Sequence, residues 1–229
     1  MDSSNLLSLL HLCDPALPIG SFSHSAGLET YVQQNIVNNR DSAREFITHQ
    51  LSQNFFYTDA ALASLVYDAA CVNDLKKIIT FDELCNAVKL PMEARFASNK
   101  LGIRLLKIFE SNNDFILPEA YKKEINAKVA FGHYCISFSL LAHAMNIDKK
   151  EMLVAFYYNA ATGFITNAVK LIPLGQQVGQ EMLMALFPLI NELAHASLNP
   201  DENLVGYCCA GFDIRCMQHE QLYSRLYMS

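Results

Sequence analysis

Residues 41–70, DSAREFITHQLSQNFFYTDAALASLVYDAA, decide the fold class. Within them Ala43, Ile47, Leu51, Phe55, Thr58, Leu62, Leu65 and Ala69 recur every three or four positions. That spacing lines one face of an α-helix and cannot line a strand, whose faces alternate every two residues. Thr58 is the one polar member of the stripe. The stretch therefore predicts a single core helix of about eight turns.

Working outward, the same periodicity returns and strand patterns do not. Asp148 and Glu151 have the spacing of a capping box, and Met152, Phe156, Ala160, Phe164 and Ala168 continue a periodic face behind it, which predicts a second long helix. Thr80 and Glu83 repeat the capping signature, and Pro118 suits a first helical position. Residues Met92 to Phe109 and Tyr134 to Met145 read as helices. At the N-terminus a helix from Asn5 to Cys13 leads into a turn through Pro15, Pro18 and Gly20, then a helix from Ser23 to Gln34 capped by Ser21 or Ser23. Periodicity lapses from Asn199 to Phe212. The segment 213–229 is polar and charged, with Tyr223 and Tyr227 apart from any core stripe, so it is expected to be mobile when unbound. No repeat or long linker divides the chain. The expectation is an all-α, single-domain bundle of residues 1–229, with roughly eight to ten helices and a flexible C-terminal tail.

Composition narrows the function. Apolar residues make up 52% of the chain and charged residues 17%, a surplus that places some apolar side chains in an interface. No stretch reaches the roughly 20 apolar residues of a membrane span, and Met1 to Leu10 lacks the basic start of a secretion signal. Seven cysteines, an odd number without a Cys-x-x-Cys pair, suit buried thiols in a reducing compartment, so a cytoplasmic protein is expected. Net charge is −6, with 17 Lys plus Arg dispersed along the chain, which removes the basic stripe that nucleic acid requires.

Three constellations carry possible chemistry. Ser21, Ser23, His24, Ser25 and Glu29 gather around Gly20 and Gly27, but no strand precedes them, as a nucleophile elbow demands. The structural reading makes Pro18, Gly20 and Gly27 turn residues and Glu29 a surface or interface acid. Gly175 and Gly179 lack the Gly-Lys-Ser/Thr of a phosphate loop. Four residues apart, they offer a flat helical strip beside Gln176 and Gln180, open equally to core packing and to contact between copies. Cys208, Cys209, Cys216 and His219 offer thiolate and imidazole to zinc or nickel, though their spacing fits no standard metal pattern.

The turn Leu17-Pro18-Ile19-Gly20-Ser21-Phe22-Ser23-His24-Ser25-Ala26-Gly27-Leu28-Glu29 resembles the N-terminal signature of the UreF family of urease accessory proteins. Further motifs follow in that family's order. They are Glu93, Ala94 and Arg95 with Ser98 and Gly102; Phe131 and Gly132; Lys170-Leu171-Ile172-Pro173-Leu174-Gly175-Gln176 with Gly179 and Gln180; and His219 and Glu220 with Tyr223, Ser224, Arg225, Leu226, Tyr227 and Ser229. The chain departs at Ser21, where many relatives have a second glycine, and at Lys170, where many have arginine.

The resemblance implies an all-helical, dimeric, non-enzymatic protein that needs no cofactor. It would act with a partner, UreD or UreH, to recruit the GTPase UreG onto apo-urease, where nickel is installed. It further implies that Glu29 and Lys170 face the GTPase, and that Arg225, Tyr223, Leu226 and Tyr227 of the tail, with His219 and Glu220, engage the accessory partner. The rival from the residues alone is a small helical metal-binding protein that uses Cys208, Cys209, Cys216 and His219.

Overall fold

A computed structural model describes residues 2–21, 24–110, 115–207 and 209–228. Among these residues every regular element is helical. In order they are α1 (Ser3–Leu12), α2 (Leu28–Gln33), α3 (Arg40–His49), a π-helical segment (Gln50–Ala60), α4 (Ala61–Cys71), α5 (Leu75–Val88), α6 (Met92–Ile108) and α7 (Ile116–Asn126). There follow α8 (Tyr134–Ala144), α9 (Lys149–Leu171), α10 (Gln176–Ala185), α11 (Phe187–Ala196), a 3₁₀ turn (Glu202–Leu204) and α12 (Ala210–His219). The all-α, single-domain architecture read from the stripes is the one observed.

The stretch 41–70 runs without a break through α3, the π segment and α4, but its middle is not α-helical. Local chemistry accounts for the widening. Ser52 Oγ donates to Thr48 O at 2.7 Å, and Thr58 Oγ1 donates to Asn54 O. Side-chain hydroxyls thus occupy carbonyls that an α-helix reserves for amides four residues on. Tyr57 O meanwhile accepts from Gly206 N at 2.8 Å. The wider turn brings Thr58, Asp59 and Ala60 together onto the buried side, and Asp59 there meets Lys89 Nζ at 2.7 Å. Burial disfavours the Lys89 ammonium, yet the Asp59 carboxylate outweighs it and the pKa of Lys89 is raised.

The core is built around α8, in which Cys135 to Ala142 are buried without interruption. A helix apolar on every side needs neighbours on every side, and α4 and α6 lie on two of them. The small residues Ala60, Ala61, Ala63, Ala69 and Ala70 let backbones approach there, and Ser139 Oγ donates to Ala63 O at 2.7 Å. Around this centre α9 packs against α3, α10 and α11.

Several local expectations are corrected. Asp148 precedes α9 in extended geometry, but its side chain makes no capping bond. Thr80 lies within α5 and donates to Lys76 O at 3.1 Å. The cap of α5 is Asp74, which accepts from Lys77 N. Pro118 is the third residue of α7, not the first. The helix expected over 23–34 shortens to Leu28–Gln33, because Ala26 and Gly27 have positive φ and end any helical run before them. Gly27 is its N-cap, without a side-chain bond; Ser23 lies outside the described residues. The tail holds α12, which no stripe announced. Among the described residues no helix is long and apolar enough to cross a membrane.

Candidate functional site

α2 and α12 are neighbours, and the sequence reason lies in Gly27. Its φ is +78°, where a side chain strains the backbone, and a Cβ there would stand 2.6 Å from Cys216 Sγ. A bare backbone lets α12 settle onto α2. The seat is lined with weaker contacts. Tyr31 OH donates to Gly211 O at 3.5 Å, the Arg215 guanidinium lies 5.9 Å from the Tyr31 ring centre, and Gln34 Nε2 donates to Gln218 Oε1 at 3.2 Å.

Two carboxylates meet one histidine at the end of α12. Glu29, the second residue of α2, is 2% exposed; His219, the last residue of α12, is 0% exposed. His219 Nε2 lies 3.1 Å from Glu29 Oε2, and His219 Nδ1 lies 2.7 Å from Glu93 Oε2. A carboxylate only accepts, so both ring nitrogens are satisfied together when both carry hydrogen, as in the imidazolium. The negative end of α12 lies at this residue and favours a cation there. Arg225 Nη1 then donates to Glu93 Oε1 at 2.6 Å. With the imidazolium, two negative and two positive groups balance. Glu29 and His219 are buried and Arg225 is partly exposed, and each of the four groups is hydrogen-bonded to another of them.

Glu29 also binds the backbone of the tail. Leu226 N donates to its Oε1 at 2.7 Å and Tyr227 N to its Oε2 at 3.1 Å, while Gln33 Nε2 donates to Ser224 O at 3.0 Å. This clasp fixes which way the tail side chains point. Tyr227 is buried, with its pKa raised by burial and then by Glu29. Tyr223 is fully exposed and Leu226 is 79% exposed. Glu29, expected as a surface or interface acid, is thus an interior hub of the free chain.

The Glu93–Gly102 motif, the Phe131–Gly132 pair and the N-terminal turn meet at α6, the helix that carries Glu93. Arg95 Nη1 donates to Lys89 O at 2.9 Å. Ser98 Oγ lies 3.1 Å from His133 Nδ1 and accepts from Tyr134 N at 3.3 Å. Gly102 touches the backbone at Gly132 and His133 so closely that any Cβ would run into Gly132 O. Arg104 Nη1 donates to Ile19 O at 2.8 Å in the N-terminal turn, and from α9 Asn167 Nδ2 donates to His24 O at 2.8 Å. The pKa of His24 is lowered by burial, then by Lys100 and Arg104. Pro18 and Gly20 lie in this turn.

Other expected residues lie apart. Lys170 is exposed in the last turn of α9, and among the described residues none of the clasp's bonds involves it. The glycine strip is divided. Gly175 is the exposed N-cap of α10, whereas Gly179 is buried, its missing Cβ 2.8 Å from Val169 Cγ2 of α9. Gln176 and Gln180 are exposed, and Glu220 is half-buried at the end of α12.

The metal constellation is not assembled. Among the described residues no three His, Cys, Asp or Glu side chains gather to hold an ion. Both nitrogens of His219 are engaged by carboxylates, and burial pushes the Cys216 thiol up, away from the thiolate a metal needs. Cys208 lies outside the described residues. Within the Ser21–Glu29 cluster Glu29 faces His219 and Ser25 is buried with Oγ 3.5 Å from Glu29 N.

Sequence reading missed two residues. The sequence gives Glu93 a motif position without a role and offers no motif around Asp82. Asp82 is buried in α5; its carboxylate accepts from the backbone N–H groups of Phe131, Gly132 and His133. Burial raises its pKa against the opposing pull of those bonds. An acid within the apolar run Ile78, Phe81, Asp82, Cys85 was the available signal.

Comparison with known proteins matches the sequence to a family. The sequence model of the UreF family covers residues 37–187. A urease accessory protein UreF of Actinobacillus pleuropneumoniae serotype 5b (strain L20) is 49% identical over 222 residues, 97% of this chain and 98% of that protein. One from Haemophilus influenzae (strain ATCC 51907 / DSM 11121 / KW20 / Rd) is 46% identical over 226 residues, 99% of this chain and 96% of its own length. A more distant one from Bacillus sp. (strain TB-90) is 33% identical over 227 residues, 99% of this chain and 100% of that protein. The family model spans well over half of the chain, and near full-length relatives carry the same name: the chain belongs to the UreF family of urease accessory proteins.

Proposed function

We propose that this chain is a non-catalytic maturation factor, a scaffold that acts with UreD or UreH to recruit and regulate the GTPase UreG on apo-urease for nickel insertion. The observation that carries the reading is the clasp. A buried carboxylate spends three acceptor bonds on holding a C-terminal segment whose exposed side chains, Tyr223 and Leu226, touch nothing they need in the monomer. Aromatic and apolar groups held outward on a fixed backbone have lost part of the ordering cost of association before the partner arrives. In this reading the tail, mobile in the unbound chain, exchanges between free and clasped forms, and the partner binds the clasped one.

Arg225 links the two halves of the mechanism. It pairs with Glu93 on one side and keeps 38% of its side chain exposed on the other. A guanidinium so placed is a typical interface anchor. Lys170, exposed at the end of α9, is free to meet the GTPase, while Glu29 acts on it through the tail it holds. The homodimer is supported by an apolar groove of about 510 Å³ between α1, α9 and α11, lined by Leu10, Val154, Tyr158, Phe187 and Ile190. Exposed Gly175, Gln176 and Gln180 are the part of the glycine strip left for contact between copies.

The test is Arg225→Ala, assayed by retention of UreG on the complex of this chain with UreD. Loss of about 2 kcal/mol, roughly thirtyfold in affinity, is expected. Unchanged retention refutes the reading.

A further inference from the structure

The interior also holds sulfur chemistry that a scaffold does not use. Cys85 of α5 and Cys135 of α8 are both buried, with Sγ atoms 3.7 Å apart. Lys89, one helical turn after Cys85, lies near both thiols. We propose that Cys85 and Cys135 form a reversible disulfide, a cross-link between α5 and α8 made when a hydroperoxide oxidises the pair.

The separation is that of thiols in van der Waals contact, and a disulfide requires about 2.0 Å, so the sulfurs must close by less than about 2 Å. The reaction balances with hydrogen peroxide as oxidant. One thiolate attacks a peroxide oxygen, the O–O bond breaks, and the departing hydroxide takes a proton to leave as water, which gives a sulfenic acid. The second sulfur then attacks the sulfenic sulfur, the S–O bond breaks and a second water leaves. Two S–H bonds and one O–O bond are lost, one S–S bond and two O–H bonds are made, and peroxide receives both electrons. Both thiols are 0% exposed, so the oxidant must be small and uncharged, and it must enter through a transient opening of the core. Burial pushes the Cys135 thiol up, and the Lys89 ammonium opposes that shift by favouring thiolate.

The cross-link has a structural consequence. Asp82, three residues before Cys85, holds the backbone of residues 131–133, and Cys135 follows that loop directly. A bond between Cys85 and Cys135 therefore ties both sides of the Asp82 clasp covalently.

The experiment treats the folded, full-length chain with hydrogen peroxide, alkylates it under denaturing quench and maps peptides without reduction. A linked Cys85–Cys135 peptide is expected, reversed by dithiothreitol. The oxidised chain should melt higher than the reduced one and exchange the amides of 131–133 more slowly. In Cys135→Ala the link is absent and a sulfenic acid at Cys85 is trapped by dimedone. The exposed Cys71 is the control for oxidant dose. If Cys71 is oxidised while Cys85 and Cys135 of the folded wild-type chain are both recovered as free thiols, the proposal is overturned. It is equally overturned if the link forms only in urea.

Discussion

Replacing Glu29 by Gln keeps the shape of the clasp and removes its charge. The carboxylate accepts from His219 Nε2, Leu226 N and Tyr227 N. An amide offers one oxygen, so its NH₂ must face at least one of these donors. One bond to a charged group, worth about 1.5–3 kcal/mol, is lost, and a buried N–H is left opposite another donor at about 1–3 kcal/mol. We expect about 3 kcal/mol off the docked state of the tail, which corresponds to an opening equilibrium shifted more than a hundredfold toward the open form. Hydrogen exchange reads this directly. The amides of Leu226 and Tyr227 should lose roughly two decades of protection in Glu29→Gln, while those of α8, deep in the core, keep theirs. Equal protection at 226 and 227 in the two proteins would show that Glu29 does not hold the tail, and the clasp would fall with it.

Other substitutions test the remaining parts of the account. Gly27→Ala should unseat α12, because its Cβ meets Cys216 Sγ at 2.6 Å and the φ of +78° disfavours any side chain; limited proteolysis should cut near residue 210 in the variant and not in the wild type. Asp82→Ala leaves three buried or half-buried backbone donors of residues 131–133 without their acceptor; a loss of about 3 kcal/mol, or roughly 6–12 °C in melting temperature, is expected by calorimetry. Stability should fall on acidification through His133, whose pKa is pushed down to about 3 by burial and then by Lys89. The folded chain keeps this ring neutral while the unfolded chain protonates it below about pH 6.5, so the unfolded state binds more protons and is favoured as pH drops from there toward 3. Between pH 7 and pH 5 this group alone costs about 2 kcal/mol, and urea titrations of His133→Asn should show a flatter pH dependence.

The helices were legible in the sequence where burial is periodic. The stripe from Ala43 to Ala69 marked a continuous helical rod because each member faces one core, α6 and α8 followed within a residue at their ends, and α9 begins directly after Asp148. The π segment was not legible. Its cause is hydrogen bonding by Ser52 and Thr58 to their own helix, which leaves the apolar spacing almost unchanged. Capping failed as a signal at Thr80, since a Ser/Thr-x-x-Glu pattern also occurs inside a helix whose face is fixed by packing. α12 was missed because it buries only Cys216 and His219, one of which is polar. For the site, resemblance marked Glu29, His219 and Arg225, but their joining through Glu93 spans more than a hundred residues in sequence. No local pattern encodes that distance; it becomes visible only when α2, α6 and α12 are brought together.

The claim that the tail is held for a partner is tested most directly by calorimetric titration of UreD into the wild-type chain and into a Tyr223→Ala, Leu226→Ala double variant. Both side chains are exposed, so the variant should melt with the wild type. We predict an affinity lower by about thirtyfold or more with unchanged melting temperature. Equal affinities in the two proteins would contradict the account.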